Sequence, residues 1–502
     1  MITSIRPARV TLAAICLAAL VLPLSFTGGA VATPSIGRAF AATPTQLAWV
    51  TNAFMLSFGS LLMAAGTFAD LYGRKRLFIS GMSVFAGASL LLAGAPDLVW
   101  LDLLRGVQGI AAAAALASGS AALAQEFEGH ARTQAFSLLG TTFGVGLAFG
   151  PLLSGLLIET LGWRGIFLFT GLLAVVSLVF AVPNMRESRN PQAQRLDTLG
   201  VMTFSGLLIA FTTAVILAPW YGWDNWTIHT LLGVSIVCAM AFVLVETRTQ
   251  QPMLELRMFR LPRFVGVQIL PIGTCYCYIV LIVLLPIRLI GVEGASPFQA
   301  GITMLALTAP MLIVPLIAAS LTRWLHAGSL CALGFVMAAV GLAWMSNVNT
   351  HGQLIAAMLL TGAGTAIPWG LMDGMAISVA PKERAGMAAG VFNTTRVASE
   401  GVALAITMAV LSALVARHLS AGTTASAASN IAQHLVIGDL QHVGQIPLAQ
   451  LRTAYASGFN TLLQLLAAFT LITAVIVYLF LGRQPAAAAA AHKECVTSSR
   501  AP

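Results

Sequence analysis

Charged residues are scarce in this chain. Only 9% of its 502 residues are Asp, Glu, Lys or Arg, and 58% are hydrophobic. Soluble domains average about 25% charged residues, because charged side chains cover the surface that faces water. A chain with this composition cannot form a soluble fold, so many of its apolar side chains must face lipid.

Cysteines and nucleotide-binding motifs are also few. The chain has six cysteines, and two of them, Cys275 and Cys277, point about 200° apart around a helix, so they do not form a metal pair. The sequence contains no GxxxxGK[ST] run, so it does not support ATP as an energy source. We find neither a nucleophile–base pair nor a metal-ligating cluster. The sequence therefore predicts neither an enzyme nor a bound cofactor.

Long apolar runs fill most of the chain. Fourteen of them have roughly 18 residues or more with few charges, which is the length that a membrane-spanning helix needs. The predicted fold class is an all-α polytopic membrane protein surrounded by the lipid bilayer. The runs are residues 10–33, 47–69, 77–95, 100–123, 135–158, 165–183, 198–218, 227–246, 264–287, 300–320, 329–346, 354–377, 386–413 and 456–482.

The basic residues lie in short loops between these runs, and not along one polar face that could bind nucleic acid. If the termini and the alternate loops share one side, that side holds 19 of the 26 Lys and Arg residues, and the opposite side holds five. Cytoplasmic loops are enriched in Lys and Arg, so both termini are predicted to be cytoplasmic. The net charge of +9 therefore indicates membrane topology, and we expect no nucleic-acid partner.

A charged turn separates the second and third runs. Residues 66–77 read GTFADLYGRKRL, with glycines that let two helix ends approach closely and an acid that can pair with a base across the turn. The turn resembles the signature loop of the major facilitator superfamily of membrane transporters, with Leu71 in place of a usual base. The resemblance implies an inner gate latched by Gly66, Asp70, Gly73, Arg74 and Lys75.

The fifth run contains the string GTTFGVGLAFGPLLSG. Small residues four apart let two membrane helices touch along their backbones, and a proline bends a helix. The string resembles the antiporter motif of exporting members of this superfamily. The resemblance implies an antiport hinge at Gly146, Gly150, Pro151 and Gly155, and ordinary packing of small residues is the structural alternative.

The fourth run carries two charges near its start. Asp102 and Arg105 are three residues apart and therefore neighbours on one helix face. Charges inside a membrane segment are costly and should face a cavity or a partner. Arg105, Gln108 and Gly109 resemble the fourth-helix pattern of the superfamily, which implies a role in proton handling. Asp102, Arg105 and Gln108 are therefore candidates for proton coupling or substrate binding, and a purely structural pair is the alternative.

The thirteenth run holds a second group of polar residues. Asn393, Arg396 and Glu400 follow one another at spacings of three and four, so they share one helix face near the middle of the membrane. Asp373 lies in the preceding run. Intramembrane acids are functional by default, which makes these four residues candidates for proton coupling or substrate binding. The alternative is a permanent ion pair between Arg396 and Glu400.

The order of the runs resembles one branch of the superfamily, the fourteen-helix drug:proton antiporters. This branch adds two helices between two halves of six. The resemblance divides the chain into a first bundle (1–183), two additional helices (184–263), a second bundle (264–482) with a long outer loop at 414–455, and a disordered tail (483–502). One departure is Ser25, because the branch usually has an Asp at that position.

The resemblance implies a secondary active transporter in the inner membrane of a bacterium. We expect it to export a small molecule, a drug or a metabolite, in exchange for protons by alternating access. We expect a monomer that can work with other envelope efflux components. Ser25 and Arg396 favour an anionic metabolite, such as a siderophore, as an alternative substrate. A proton-coupled uptake symporter and a non-transporting sensor are the rival functions.

Overall fold

The computed structural model describes residues 5–127, 129–189, 197–249, 254, 256–348, 350–379, 385–419, 424–440 and 447–482. Nearly all of these residues are helical, and no strand occurs within these ranges. This architecture follows from the composition, because a backbone inside lipid must satisfy its own hydrogen bonds and a helix does so within one segment.

Fourteen helices in the described part of the chain are long and apolar enough to cross a membrane, which confirms the number predicted. We label these helices α1 to α14. They are α1 (Ile5–Phe40), α2 (Pro44–Tyr72), α3 (Arg74–Ala93), α4 (Leu98–Glu126), α5 (Gly129–Leu161), α6 (Arg164–Asn184), α7 (Thr198–Tyr221), α8 (Trp226–Arg248), α9 (Pro262–Val292), α10 (Pro297–Leu321), α11 (Ala327–Met345), α12 (His351–Ser378), α13 (Ala385–Leu419) and α14 (Leu448–Leu481).

The starts of α2 and α10 use the same local signal. At α2 the Thr43 hydroxyl accepts a hydrogen bond from the Gln46 N–H, and the Gln46 side chain accepts one from the Thr43 N–H. Ser296 and Gln299 form the same capping box at α10. Each box satisfies two backbone donors that a helix start leaves free. The face where α2 and α10 begin is called the predicted outer face below.

The helices form two six-helix bundles, as predicted. In the first bundle α1 contacts α5 and α6, and α4 contacts α2 and α3. In the second bundle α11 contacts α12 and α14, while α12 contacts α10 and α9. The additional pair, α7 and α8, packs outside both bundles. Helix α7 contacts both α2 and α13, so the pair covers a place where the bundles meet.

Glycines bring the two bundles into contact along two seams, α5 against α10 and α2 against α13. A Cβ added at Gly301 of α10 would lie 2.7 Å from the Leu152 Cα of α5, and one at Gly59 of α2 would lie 2.8 Å from the Ala398 nitrogen of α13. Only glycine fits such distances. The Thr308 hydroxyl also donates a 2.6 Å hydrogen bond to the Ala148 carbonyl across the first seam. Close backbone contact therefore holds the bundles together.

The segment between α13 and α14 differs from the predicted outer loop. Helix α13 continues to Leu419, α14 begins at Leu448, and a short helix, called the outer helix below, spans Ala425–Val436. The predicted bounds of 414–455 are therefore wrong, because a segment this rich in alanine favours helix. The outer helix buries one apolar face, formed by Ala428, Ala432, Leu435 and Val436. The predicted disordered tail at 483–502 lies outside the described residues.

A glycine contact inside the first bundle predicts a measurable effect on stability. At Gly109 of α4 a Cβ would overlap the Phe54 carbonyl and the Ser57 hydroxyl of α2, whereas at Gly106 it would meet no atom within 4 Å. We expect Gly109→Leu to lower the free energy of unfolding by about 1–3 kcal/mol, because overpacking forces α2 and α4 apart. Gly106→Leu on the same helix is the control and should not destabilise, since a glycine is replaced by a better helix former. Thermal unfolding of the purified protein in detergent measures both, and equal destabilisation by the two variants would contradict the packing argument.

Candidate functional site

A cavity lies between the two bundles, with about 290 Å³ of unfilled space that is partly open to its surroundings. Its wall is mainly aromatic and aliphatic, and Glu400 is the one ionisable residue among the described residues that line it. The first bundle contributes residues from α1, α2 and α5, and the second bundle contributes residues from α9 and α13. The lining residues are Leu22, Pro23, Phe26, Phe54, Met55, Phe58, Phe143, Leu147, Ile279 and Glu400.

Glu400 is buried, with 7% of its surface exposed. Among the described residues none forms a hydrogen bond or an ion pair with its carboxyl group. Its neighbour Gly401 lies against α2, where a Cβ would be 3.4 Å from the Met55 Cβ. Glu400 therefore sits on the second bundle but faces helices of the first.

Arg396 pairs with Asp373 of α12 through a 3.3 Å contact between Nη1 and Oδ1. Its guanidinium also lies within 6 Å of the rings of Phe143, Trp369 and Phe392, a distance at which aromatic faces attract cations. The hypothesis of a permanent pair between Arg396 and Glu400 is therefore wrong for this structure. The four-residue spacing along α13 permitted that pair. Instead of Glu400, however, Asp373 on the neighbouring helix α12 is the partner of Arg396.

The remaining two candidates of this group differ in exposure. Asp373 keeps 54% of its side chain exposed, so its pair with Arg396 is open on one side. Asn393 is half-buried one turn before Arg396. The structure thus brings Arg396 and Asp373 together, while Glu400 lies one turn farther along α13 in the central cavity.

Arg105 is the centre of a hydrogen-bond network within the first bundle. The side chain is fully buried, and its Nη1 donates to the Ser25 hydroxyl at 2.9 Å and to the Gln108 Oε1 at 2.6 Å. Its Nε donates to the Val50 carbonyl at 2.8 Å. Gln108 in turn donates to the Ser89 hydroxyl at 2.8 Å. One arginine and one glutamine therefore connect α1, α2, α3 and α4.

Asp102 does not enter this network. No ion pair joins Asp102 to Arg105, and the Asp102 Oδ1 atom has no hydrogen-bond partner among the described residues. The Phe54 ring lies 4.5 Å from the Arg105 Cζ atom and also lines the central cavity. The Arg105 network is thus separated from the cavity by one aromatic ring.

The charged turn between α2 and α3 forms the ion pair that the sequence predicted. The Arg74 Nη2 lies 2.8 Å from the Asp70 Oδ1, and Arg74 also bonds the Gln125 side chain at the end of α4. Gly73 has a φ of +117°, which other residues rarely adopt. Gly66 differs from the expectation, because a Cβ there would meet nothing within 4 Å, so no close approach requires a glycine at that position.

Glu187, just after α6, binds this turn from another part of the chain. Its Oε1 accepts a 3.2 Å hydrogen bond from the Lys75 N–H, and its Oε2 lies 3.6 Å from the Arg76 Nε. The Arg74 N–H also donates to the Ser188 carbonyl at 3.0 Å. All of these partners belong to the first bundle or to the segment that follows it. In this conformation the turn therefore ties α2 and α3 to α4 and α6, and an interaction with the second bundle stays a prediction.

The glycines of α5 divide between two neighbours. At Gly146 a Cβ would lie 2.9 Å from the Leu20 carbonyl of α1, and at Gly150 it would lie 3.0 Å from the Thr27 Cβ of α1. Gly155 instead faces α10, with Phe298 Cα at 3.2 Å from the same added atom. Pro151 lies inside the helix between these two groups. Helix α5 is therefore packed against its own bundle on one stretch and against the other bundle on the next.

Sequence reasoning missed the aromatic wall of the cavity. Phe54 and Phe58 are four residues apart on α2, so their spacing indicated a shared face, but nothing local showed that this face lines a cavity. Ile279 lies in a π-helical segment, Cys275–Ile279, within α9, and such segments often occur at functional sites. The described residues contain no group of three His, Cys, Asp or Glu side chains that could hold a metal ion.

The amino-acid sequence of this chain is similar to those of transporters whose family is known. Residues 15–403 match the model of the Major Facilitator Superfamily. The multidrug resistance protein Stp of Mycobacterium tuberculosis (strain CDC 1551 / Oshkosh) is 31% identical over 388 residues, which are 76% of this chain and 72% of that protein. The puromycin resistance protein pur8 of Streptomyces alboniger is 32% identical over 433 residues, which are 83% of this chain and 84% of that protein.

A solved structure shares the fold. It is that of a bacterial homolog to the human lysosomal transporter Spinster, in an inward-facing and unoccupied conformation. The TM-score is 0.67 at 15% identity, and the alignment covers 96% of this chain and 99% of that chain. Because the family model matches most of the sequence and the fold agrees along nearly its whole length, this chain belongs to the Major Facilitator Superfamily of membrane transporters.

Proposed function

We propose that this chain exports a small drug-like molecule from the cytoplasm in exchange for protons, by alternating access of the central cavity to the two sides of a bacterial inner membrane. The observation that carries this proposal is the position of Glu400. Among the described residues, it is the one ionisable group that lines the largely aromatic cavity between the two bundles. The names of two relatives, which refer to multidrug and puromycin resistance, support export.

The surroundings of Glu400 suit it to carry a proton. A carboxylate is stable inside a membrane protein only beside a base, a hydrogen-bond donor or water. The described residues provide neither a base nor a donor within bonding distance of Glu400. Release of its proton therefore depends on water or substrate reaching the cavity. Opening of the cavity to one side would thus couple proton release to substrate movement.

The two glycine seams support alternating access. At the contacts between α5 and α10, and between α2 and α13, glycines bring the backbones together. Few interlocking side chains would therefore oppose separation of the bundles. The Arg105 network and the Asp70–Arg74 turn lie within the first bundle, so they hold it together as it moves. The orientation with both termini in the cytoplasm rests on the basic loops and is part of this proposal.

An anionic metabolite is the second candidate substrate. Arg105 is fully buried, no carboxylate forms an ion pair with it, and its Nη2 has no hydrogen-bond partner among the described residues. A substrate carboxylate would supply the missing negative charge. Phe54 separates Arg105 from the cavity, so such a substrate would have to displace that ring. The carboxyl group of Glu400 in the cavity itself favours the first candidate.

The role of Glu400 can be tested in sealed vesicles that contain the purified protein and an interior pH dye. We expect Glu400→Gln to reduce substrate-dependent proton movement at least about tenfold, because an amide cannot carry the proton. Substrates would be a panel of ethidium-like cations and carboxylate chelators, which also separates the two substrate classes. Asp373→Asn tests the other intramembrane acid of this region.

Asp224→Asn, in the exposed turn between α7 and α8, is the matched control and should behave as the wild type. Proton movement that survives Glu400→Gln at the wild-type rate would contradict the assignment. Substrate flux without any proton movement in the wild type would reject proton coupling itself.

The α5–α10 seam predicts a defect in transport. At Gly155 an added Cβ would overlap the Pro297 carbonyl of α10, whereas at Gly140 of the same helix it would meet nothing within 4 Å. We expect Gly155→Leu to lower the rate of efflux at least about tenfold, because its side chain keeps the bundles apart at the predicted outer face. Gly140→Leu should retain transport. The rate is measured in inverted vesicles at matched protein amounts, and normal efflux by Gly155→Leu would show that closure of this seam is not needed.

A further inference from the structure

A second cavity lies between α2, α7, α13 and the outer helix, toward the predicted outer face. The unfilled space between these helices measures about 420 Å³ and is partly open to its surroundings. It shares no lining residue with the central cavity. This cavity, called the lateral pocket below, is therefore a separate space, and its walls come from both bundles and from the additional helix pair.

The lateral pocket is lined by an asparagine whose side-chain acceptor lacks a partner among the described residues. Asn52 of α2 is fully buried, and its Nδ2 donates to the Ala48 carbonyl at 3.0 Å. Its Oδ1 has no hydrogen-bond partner among the described residues, although a buried carbonyl oxygen without one is costly. Ser412 of α13 is also buried and lines the pocket. The pocket thus presents an acceptor that a donor on a ligand would satisfy.

None of the described residues that line the lateral pocket is charged, and most of its wall is aliphatic. The side chains that form the wall include Val215 and Ile216 of α7, Ala405 and Ala409 of α13, and Ala48 of α2. A ligand with a net charge would be left without a counter-charge there. The phosphate of a phospholipid would likewise lack a basic partner. These walls favour a neutral molecule with an aliphatic body.

We propose that the lateral pocket binds a neutral, mainly aliphatic small molecule with one hydroxyl or N–H donor, which is held by the Asn52 Oδ1. Such a molecule reaches the pocket from the membrane. Its walls belong to α2 of one bundle, α13 of the other and α7 of the additional pair, so the bound molecule holds these three helices in their present arrangement. The pocket is therefore a second site, through which a membrane-dissolved amphiphile stabilises this conformation of the transporter.

The test uses a ten-carbon alkanol that carries a photoactivatable diazirine, added to the full-length protein in detergent and in phospholipid nanodiscs. After illumination, mass spectrometry maps the labelled peptides. We expect saturable labelling that is concentrated on residues 44–52, 215–216 and 405–412. A phospholipid with the same diazirine on its acyl chain is the second probe, and it should label the lipid-facing helix surface without preference for these residues.

Two variants separate the pocket from the outer surface of the same helix. Ala405→Trp fills the pocket and should reduce labelling of these residues at least about tenfold, whereas Ala413→Trp lies on an exposed position of α13 and should not. The alkanol should also raise the melting temperature of the wild type and of Ala413→Trp in a concentration-dependent manner. It should leave that of Ala405→Trp unchanged.

A third variant does not depend on filling the pocket. Asn52→Leu removes the acceptor and should weaken alkanol labelling about fivefold, the factor that one ordinary hydrogen bond contributes. The corresponding alkane probe, which has no donor, should label this variant and the wild type equally. Labelling that is unsaturable or unaffected by Ala405→Trp and Asn52→Leu would overturn the proposal. Preferential labelling of these residues by the phospholipid probe would identify a lipid site and overturn the assignment to a small molecule.

Discussion

Two bundles of apolar helices hold together inside a membrane mainly through close packing and hydrogen bonds between helices, because lipid tails are as apolar as the side chains they would replace. In this protein that contact is made by glycines at two seams. Gly155 and Gly301 join α5 to α10, and Gly59 joins α2 to α13. The central cavity lies between these seams, and α7 packs along one of them. The cavity, the lateral pocket and the proposed movement all depend on these close contacts.

The buried ionisable groups differ in how they are stabilised. Arg105 donates hydrogen bonds to neutral acceptors on α1 and α2 and to Gln108 of its own helix. Arg396 combines an ion pair with three aromatic rings. Glu400 has neither kind of partner among the described residues. A buried charge without a bonded partner is expensive, which is why we assign the proposed proton transfer to Glu400.

The two bundles are not equivalent in their connecting turns. The α2–α3 turn has an ion pair, a glycine with positive φ and a carboxylate from beyond α6, which together link four helices of the first bundle. The α10–α11 turn contains Arg323, which forms no ion pair with any described residue, and the exposed Trp324. At this face the first bundle therefore has more links between its helices than the second, among the described residues.

The sequence by itself determined the fourteen helices, the two additional spans between the halves, and the Asp70–Arg74 pair. Each of these depends on residues that are close along the chain, because spanning length and i,i+4 spacing are local properties. The same spacing also permitted an Arg396–Glu400 pair, and only the packing of α12 beside α13 decided that Asp373 is the partner. Ser25 and Arg105 are 80 residues apart, and the phenylalanines of the cavity come from three helices. Contacts between helices depend on how each helix is rotated about its axis, and that rotation is set by packing across the whole bundle.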